Sequence, residues 1–598
     1  MSTLVPPSPE SFTNEWLYYN KMHWAGTWSA TTTYNSQDLV ARNNVGYISL
    51  VPLNIGNDPA TSPAFWVPLP SQSAPPPSAD WLTLANAPVW DARRYNFAPQ
   101  SPGGTLTGGI SNTIPWVPTP GVQFNDTAHY LYISGGVGAA EAVLITGGSN
   151  STLTFTPANN HSGAWTISSA TAGIQEAKQA AGSAGGIVQL TAGTLTTYAT
   201  IYIDTPIWLR GSSINASKIS IAAQSPHVVQ IHHDHVVVSD LYIDSSAGGR
   251  TGNGIELDSG FVEGRFDNLR VYNQSIGIDL NGAGWVSDVW MSANATGLRI
   301  NSNEVHVRAS QSNQNTSNGV VIAGGTGIYL VDFTAAGNSV SNFIATGSPA
   351  DIQMIGCVSS MTTSGPGLDF SAATTAELTI TNMLVETSGG NAPAIKLGDI
   401  TGLRILGSVI TAANASPGIV FTKTAYEVNI TGNKIEGGGS TTTAIDLSGA
   451  SNAAWIVITG NTMKTWTTGL AAGSNLAANG VVLAGNYFSV TTPVSGSLNG
   501  SVQSVLTANF WGAGPNTYAS AATVNVKPYD EVVFITGTTQ IVIVGGDLWR
   551  GRRLTLIFTD AAPGGLGAGG NIAAARTVAQ NGSITLVGAQ SARGMLWY

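Results

Sequence analysis

Four charged residues recur at matching places in successive repeats of this 598-residue chain. Glu256, Asp279 and Arg299 each stand between the two apolar residues of a short motif, written GIEL, GIDL and GLRI, and Asp258 follows two residues after Glu256. Hydrolysis of a glycosidic bond uses two carboxyl groups, about 5 Å apart in retaining enzymes and about 6.5–9.5 Å apart in inverting ones. If the repeats stack at about 4.8 Å, the carboxylates of Glu256 and Asp279 are expected about 4–7 Å apart, which fits that chemistry.

Neighbouring carboxylates repel each other, so one of the two is expected to have a raised pKa, as a general acid requires. Arg299 is expected to keep the other carboxylate ionised or to bind an acidic sugar. Asn281 takes the place of Asp258 in the next repeat and is expected to contact substrate. The prediction is hydrolysis through Glu256 and Asp279, with Asp258 as a third catalytic candidate. The alternative is a solvated charge ladder without a catalytic role.

A second column of acidic residues offers an alternative catalytic pair. Asp240 and Asp288 hold one position of their repeats, with Asn268 in the repeat between them. Two repeats separate the aspartates by about 10 Å, which is close to the inverting distance. Asn and Asp at turns also form structural hydrogen-bond ladders. The sequence leaves both interpretations open.

The segment HHDH at 232–235 combines imidazole and carboxylate groups. Such a cluster can bind zinc, and a histidine can serve as a general base. Side chains alternate along an extended chain, so at most two of the four converge, and neither a metal site nor another cofactor is predicted. His233 and His235 are expected to contact substrate; the alternative is a polar turn.

Aromatic residues close to these positions offer the apolar part of a sugar site. Trp285 follows a GAG triplet and is expected to be exposed, where its ring would stack on a sugar. Trp290 and Tyr272 lie on the same repeats and are candidates for the same groove. The alternative is that these rings fill the core.

All of these residues belong to a repeat of about 24–25 residues. Each repeat has a β-branched run that ends in Asp, Asn or Gly and resumes with an apolar residue, and motifs of the GIEL type lie between the runs. This period is typical of a solenoid. Abundant Val, Ile and Thr exclude helical repeats, and no LxxLxL frame supports leucine-rich repeats. The first column comprises Asp240, Asn268, Asp288, Asp332, Gly356, Asn382, Gly407, Gly432, Gly460 and Gly485.

The remaining architecture is a parallel β-helix, predicted with about eleven coils over roughly 185–500. A run of helix formers at 172–181, stopped by Gly182, is expected to cover the open first coil and protect its sheet edge. Residues after 503 break the period, and alternation of apolar and polar residues within 530–558 predicts hairpins. The expected domains are an aromatic-rich module at 1–70, a Pro-rich linker at 71–79, a small β domain at 80–169, the β-helix at 170–502, and a β-sandwich-like tip at 503–598 that trimerises or binds a receptor.

Charge and composition exclude several classes of protein. The chain has 23 Lys and Arg against 33 Asp and Glu, so its net charge of −10 argues against nucleic-acid binding. No apolar run reaches the roughly 18 residues of a membrane helix. The start, MSTLVPPSPESF, lacks the features of a signal peptide, so synthesis in a cytoplasm is expected. The single Cys357 excludes intrachain disulfides and disfavours a cysteine-built metal site.

The first coils resemble those of pectate-lyase-like proteins. GIQEA at 173–177, GGIVQLTAGT at 185–194 and IWLRGSS at 207–213 follow that family's order of a short helix, a GG-V strand and a strand ending in Gly. With the ITGN repeats, the resemblance covers about 170–500. It implies an all-β chain built around a right-handed, single-stranded parallel β-helix.

The layout as a whole resembles phage tailspike and tail-fibre proteins of the polysaccharide-degrading kind. This implies a virion tail protein that binds and hydrolyses a bacterial capsule or lipopolysaccharide at the host cell surface, joined to tail or baseplate proteins through its N-terminus. The alternatives are a non-catalytic receptor-binding or structural fibre and a polysaccharide lyase, which would need a second basic residue beside Arg299. A homotrimer is expected because it would bury a low-charge flank and the apolar end GMLWY.

The N-terminal stretch is similar to small carbohydrate-binding modules of the chitin-binding type. That resemblance implies sugar binding, and docking to the virion or a spacer role is the alternative. The residues that follow the family's W…Y…D-x-V…Y…P…W order are Trp28, Tyr34, Asp38, Val40, Tyr47, Pro59 and Trp66.

Overall fold

The chain divides into two compact units, residues 1–83 and 84–598. The predicted linker at 71–79 lies outside the residues that the structure describes. Within the described part, no helix combines the length and the apolar character that crossing a membrane requires. The computed structural model describes residues 23–35, 38–42, 45–49, 53–62, 65–68, 88–117, 129–149, 151–224, 226–387, 392–413, 415–438, 442–473, 481–496, 505–507, 509, 515–527, 530–546, 551–591 and 594–598.

The first unit contains a four-stranded sheet with a small aromatic core. Tyr34, Val40, Tyr47 and Trp66 are buried, and the rings of Tyr34 and Trp66 meet edge to face at 5.3 Å. Four of the residues behind the carbohydrate-binding resemblance therefore fill a core too small for many side chains. Sugar binding by this unit stays a prediction. In sheet order the strands are His23–Thr27, Asp38–Arg42, Val45–Ser49 and Trp66–Pro68.

An antiparallel sheet follows in the second unit, within the range expected for a small β domain. Its core includes the fully buried rings of Phe155 and Trp165. The indole nitrogen of Trp165 donates to the Gly104 carbonyl at 3.0 Å, so the buried polar atom is satisfied. In sheet order the strands are Ser162–Ser169, Tyr130–Val137, Glu141–Gly148, Thr152–Phe155 and Asn112–Pro115.

Most of the second unit is a parallel β-helix of about 14 turns. Three sheets run along it, called A, B and C in the order in which each turn visits them. Alternate residues of every strand point inward and form one continuous apolar core. Cys357 is part of this core, where burial raises the pKa of its thiol to about 11. The β-helix is the predicted fold.

Strands that bend at a corner belong to two sheets. Sheet A contains Val89–Asp91, Gly186–Gln189, Ile207–Arg210, Val237–Ser245, Gly264–Tyr272, Gly284–Ser292, Val305–Arg308, Thr326–Val331, Ala350–Ile355, Leu368–Thr381, Ile395–Leu406, Thr424–Thr431, Asn452–Thr459, Val481–Ala484 and Val505–Thr507. Sheet B adds Gly193–Thr197, Ser217–Ile221, Gln311–Asn313, Thr334–Ala336, Val358–Thr362, Leu384–Thr387, Val409–Ala412, Lys434–Gly437, Thr462–Ala471 and Tyr487–Ser495. Sheet C adds Ile201–Ile203, Val229–Ile231, Ile255–Leu257, Ile276–Leu280, Thr296–Asn301, Asn318–Gly324, Phe343–Ala345, Ile419–Phe421 and Thr443–Asp446.

The Asp/Asn/Gly column of the sequence forms the corner between sheets A and B. Asp240, Asn268 and Asp288 have left-handed backbone, with φ of 57°, 49° and 53°. Gly, Asn and Asp tolerate this conformation better than other residues, which explains the column. The turn near Arg308, which has no Asp, Asn or Gly in the column, has Ala309 at this corner, with φ of 48°. The coils before Asp240 have no member in the Asp/Asn/Gly column. The sequence therefore predicts about eleven coils, whereas the structure has about 14 turns.

The predicted cap at the first coil is present as helix Ile174–Ala181, followed by a 3₁₀ turn at Gly182–Ala184. Its Ile174 and Ala177 side chains pack into the core of the β-helix. The strand Val89–Asp91 pairs in parallel with the first coil, and the short helix Ala92–Tyr95 follows it. This end of the β-helix is therefore covered partly by chain that precedes the small sheet.

The C-terminal part differs from the hairpins expected within 530–558. Val532–Thr536 and Arg553–Phe558 pair in parallel, so a coil-like arrangement continues before the chain turns antiparallel. In the apolar end, Trp597 is buried in the core of this domain, whereas Tyr598 is exposed. The strands are Asn516–Ala519, Thr523–Asn525, Val532–Thr536, Ile543–Gly545, Arg553–Phe558, Ser583–Ser591 and Gly594–Trp597.

Candidate functional site

The outer face of sheet C brings the predicted charged residues into one column. Gln230 pairs with Glu256, Glu256 with Asp279, and Asp279 with Arg299, on four consecutive strands. The in-register pairing arises because each of these residues stands between two apolar residues that point into the core. The alignment read from the GIEL, GIDL and GLRI motifs is therefore the alignment of the folded chain.

Asp279 lies beneath the surface of this column. Its side chain is fully buried, and Arg299 donates to both of its oxygens, through Nε at 2.7 Å and through the second guanidinium nitrogen. Asn253 Nδ2 also donates to it at 2.9 Å. Burial raises the pKa of the Asp279 carboxyl above its ordinary value, although these donors favour the ionised form. A carboxylate so enclosed can position Asn253 and Arg299, and a catalytic role of Asp279 itself stays a prediction.

Glu256 is half-buried and keeps one carboxylate oxygen open. Its Oε2 lies 3.0 Å from His227 Nδ1 and accepts from Asn253 Nδ2 at 3.1 Å. The contact with His227 is the main reason why the pKa of Glu256 is lowered. Because Asn253 bonds to both carboxylates, the bonded oxygens of Glu256 and Asp279 lie at most about 6 Å apart, as the sequence predicts.

Asp258 lies on the same outer face as Glu256, two residues along the strand direction. Gln230 Nε2 donates to its two oxygens at 3.2 and 3.1 Å, and His232 Nδ1 lies 3.0 Å from Oδ2. The His232 ring is half-exposed and packs between Tyr202, at 5.6 Å, and Phe261, at 4.4 Å. One ring nitrogen of His232 is thus oriented by a carboxylate, and the other is left for a ligand.

Four residues of this cluster were not singled out in the sequence: Tyr202, His227, Gln230 and Asn253. His232 belongs to the HHDH segment, but only His233 and His235 were expected to contact substrate. One signal was available, because VVQI at 228–231 is an earlier copy of the GIEL motif and places Gln230 in the same column. The others come from the loops at the ends of the sheet C strands or from the preceding coil. These residues do not recur at a fixed place in each repeat, so the sequence alone does not mark them.

His233 and His235 do not join the Glu256 column. His233 Nδ1 donates to the Asp234 carbonyl at 2.6 Å, and His235 Nδ1 lies 2.6 Å from Glu263 Oε2. His235 has left-handed backbone, with φ of 59°, at the corner between sheets C and A. Among the described residues no group of three or more His, Cys, Asp or Glu is arranged to hold a metal ion. Substrate contact by these two histidines stays a prediction.

Trp285 lies on sheet A, and the turn residue Asp288 separates it from Trp290 on sheet B. Trp285 is partly exposed and stacks on His306 at 5.9 Å, while the guanidinium of Arg265 covers its other side at 5.2 Å. The two tryptophans therefore belong to different sheets and do not share the groove that the sequence suggests. Trp285 on sheet A and Trp290 on sheet B both lie on other sheets than Glu256, which is on sheet C.

Two further predicted positions have structural partners. Asn301 Nδ2 donates to Asn281 at 3.3 Å, in the column that begins with Asp258. Asn268 Nδ2 donates to Asp240 at 2.8 Å at the A–B corner. The corner backbone accounts for the residue types at Asp240 and Asp288, and their alternative catalytic role stays a prediction.

Comparison with known proteins finds similarity of fold. No family model matches the sequence, and no curated protein matches it. Similar solved structures include the A-module of the mannuronan C-5 epimerase AlgE6 of Azotobacter vinelandii, with 15% identity over 57% of this chain and 95% of that chain and a TM-score of 0.43. The Dettilon tailspike protein shares 12% identity over 54% of this chain and 64% of that chain, with a TM-score of 0.43. Tailspike protein 3 of bacteriophage CBA120 shares 11% over 84% and 81%, with a TM-score of 0.34.

Proposed function

We propose that this chain hydrolyses the glycosidic bonds of a bacterial surface polysaccharide, at the outer face of sheet C. The pair Glu256 and Asp258 carries the proposal. Glu256 lies on the strand Ile255–Leu257, and Asp258 follows directly after its last residue. Two residues of extended chain span about 6.6 Å, and carboxyl groups at a similar separation suit an inverting mechanism with a water molecule between sugar and base.

The two carboxylates have different roles in this mechanism. The lowered pKa of Glu256 keeps it ionised, so its open oxygen takes a proton from water as that water attacks the anomeric carbon. The bond from the anomeric carbon to the leaving oxygen breaks, and the leaving oxygen takes the proton shared between Asp258 and His232 at 3.0 Å. Proton and bond changes then balance: one water is consumed and one hydroxyl forms on each product.

Asp279 and Arg299 support this site from behind. The double contact with Asp279 occupies Arg299, which is half-exposed beside Glu256. A lyase acting on uronates needs a cation that neutralises the sugar carboxylate, and in this cluster the guanidinium is already paired. This pairing favours hydrolysis over elimination.

We further propose that the chain acts as a tailspike or tail-fibre adhesin in the virion tail, as a homotrimer attached to tail or baseplate proteins through its N-terminal part. The support is the resemblance in layout together with an exposed carboxylate site on a β-helix. A binding-only receptor protein on the same scaffold is the second candidate.

The test is incubation of the purified protein with a panel of bacterial capsular and lipopolysaccharides. Chain length is followed by size-exclusion chromatography and new reducing ends by a colorimetric assay. We expect one polysaccharide to be shortened, with inversion at the anomeric carbon by NMR. We expect Glu256→Gln to lower the rate at least about 10²-fold, since general acid–base catalysis contributes that much.

The matched control is Asp369→Asn, which alters a carboxylate on the same outer face of sheet C, several turns further along. It should leave the rate unchanged. If the products are unsaturated, as detected by their ultraviolet absorbance, the reaction is elimination and not hydrolysis. Binding without shortening of any tested polysaccharide, or full activity of Glu256→Gln, would refute the proposal.

A further inference from the structure

Sheet B carries a second cluster of side chains that the catalytic proposal does not use. Lys218, Tyr242, Arg270 and Trp290 pair in register on four consecutive strands and point outward. Tyr272 lies two residues beyond Arg270 on the same face. At about 4.8 Å per strand the cluster extends about 14 Å along the β-helix. We call these five residues the sheet B patch.

The aromatic rings of the sheet B patch contact one another and the cations. Tyr272 meets Tyr242 edge to face at 5.3 Å and lies 6.1 Å from Trp290. The guanidinium of Arg270 lies over the Trp290 ring at 5.1 Å. Trp290 remains 37% exposed, so the patch offers an aromatic surface held in place by its neighbours.

One acidic residue adjoins the patch, and its charge is already neutralised. Asp244 Oδ2 accepts from Lys218 Nζ at 2.6 Å and from the Tyr242 hydroxyl at 3.1 Å. Its Oδ1 accepts from the Ser245 backbone and from Asn273 Nδ2, both at 2.7 Å. Lys218 and Asp244 therefore form an ion pair that neutralises both charges, and the positive charge of Arg270 is not neutralised by this pair.

Arg270 is the unmatched group. Its Nε is buried and has no hydrogen-bond partner among the described residues, and no described carboxylate lies within ion-pair distance of it. A planar guanidinium presents paired donors that match a carboxylate. A carboxylate that binds the terminal nitrogens of Arg270 would supply an acceptor that the described residues do not, while a ring attached to that carboxylate would lie against Trp290 or Tyr272.

We infer that the sheet B patch is a binding site for an acidic saccharide, with a sugar carboxylate on Arg270 and a sugar ring against Trp290. A saccharide fits better than a small anion, because the cation is flanked by aromatic surface rather than by further donors. The site is independent of Glu256, which lies on sheet C. It serves to hold a chain, and hydrolysis at sheet C is not required for it.

The experiment measures binding by isothermal titration calorimetry in the Glu256→Gln background, so that cleavage does not interfere. The probes are a hexamer of galacturonate, a hexamer of sialic acid and, as the neutral counterpart, maltohexaose. We expect at least one acidic hexamer to bind at least about tenfold more tightly than maltohexaose, and Arg270→Gln to weaken that binding about tenfold or more. Trp290→Ala should weaken it as well.

The matched controls remove the same groups from sheet A. Arg404→Gln alters an exposed arginine on that sheet and changes the net charge of the protein equally. Trp285→Ala removes a tryptophan of similar exposure. Circular dichroism confirms that each variant is folded. The inference is overturned if neither acidic hexamer binds, if neutral and acidic hexamers bind alike, or if Arg404→Gln weakens binding as much as Arg270→Gln.

Discussion

Glu256 and Asp279 are neighbours in one column, yet their surroundings give them opposite properties. Asp279 is enclosed, and burial raises its pKa. Glu256 is partly exposed, with 18% of its side chain accessible, and His227 lowers its pKa. The repeat places both at equivalent positions and Asn253 bonds to both, but the Arg299 guanidinium bonds only to Asp279. At the residue scale, the strand register determines that the two carboxylates are close together, and the residues around each of them determine its pKa and its exposure.

We predict that Asp279→Ala destabilises the protein by about 1–3 kcal/mol, because it removes the carboxylate that Arg299 bonds to and one of the two acceptors of the buried Asn253 amide. Glu256→Gln should cost less than about 1 kcal/mol, since its contact with His227 is partly exposed. Equilibrium unfolding in urea gives both values. Equal losses for the two variants would contradict the different burial of these side chains.

We predict a shift of the pH profile in His227→Gln. A carboxylate that acts as a base loses activity as the pH falls through its pKa, and His227 keeps the pKa of Glu256 low. Removing His227 raises that pKa toward its usual range, so the acid limb of the kcat/KM profile should move to higher pH. His306→Gln, on sheet A, is the control and should leave the limb in place. An unmoved limb in His227→Gln would count against Glu256 as the base.

At the scale of the element, the corners of the coils explain which residues repeat. The A–B corner requires left-handed backbone, and its occupants are mainly Asp, Asn and Gly. Near several of these corners, the side chain of a buried asparagine donates a hydrogen bond to an asparagine of the next coil. In the most regular run, the side chain of Asn433 donates to Asn461, Asn461 to Asn486, and Asn486 to Asn509. These ladders satisfy backbone groups that the corner removes from the sheets.

We predict that Asp288→Gly retains both stability and activity, whereas Asp288→Val destabilises the protein by about 1–2 kcal/mol. Asp288 has φ of 53°, which glycine adopts readily and a β-branched residue does not. Thermal unfolding and the depolymerisation assay check the two variants. If Asp288→Gly unfolds normally but loses activity, the alternative catalytic role of this column gains support.

We predict that Asn461→Ala lowers the free energy of unfolding by about 2–4 kcal/mol. The change removes the acceptor of the Asn433 backbone N–H, one of the two acceptors of the Asn433 side chain, and a donor to the Ile430 carbonyl, and each buried unsatisfied group costs about 1–3 kcal/mol. Asn452→Ala, an exposed asparagine near the same coil, is the control and should stay within about 0.5 kcal/mol. Equal effects would show that the ladder adds nothing to stability.

At the scale of the second unit, the three sheets present different chemistry. Sheet C carries the carboxylates, sheet A carries the stack of Trp285, His306 and Tyr329, and sheet B carries the Arg270 and Trp290 cluster. A β-helix keeps these faces apart, because every turn contributes one strand to each sheet. The two proposals above therefore assign cleavage of a long polymer to one face and binding of it to another.

We predict a homotrimer, with light scattering giving about three times the chain mass of 61.6 kDa. At the apolar C-terminus, Trp597 is buried within its own domain and Tyr598 is exposed, so only part of this end is open to a partner. The low charge of the β-helix remains the reason for the prediction. A stable monomer at micromolar concentration would refute it.

The parallel β-helix, the capping helix expected at 172–181 and the alignment of Glu256, Asp279 and Arg299 can all be predicted from the sequence. These features follow from a short-range rule, because each inward apolar residue recurs once per coil and fixes the register of its neighbours. Only the folded chain reveals which members of the column are exposed, which residues from other segments reach them, and that Trp285 and Trp290 belong to different sheets. Burial and contacts such as those of Asn253 and His227 depend on where loops of several coils meet, and no repeat period encodes that meeting point.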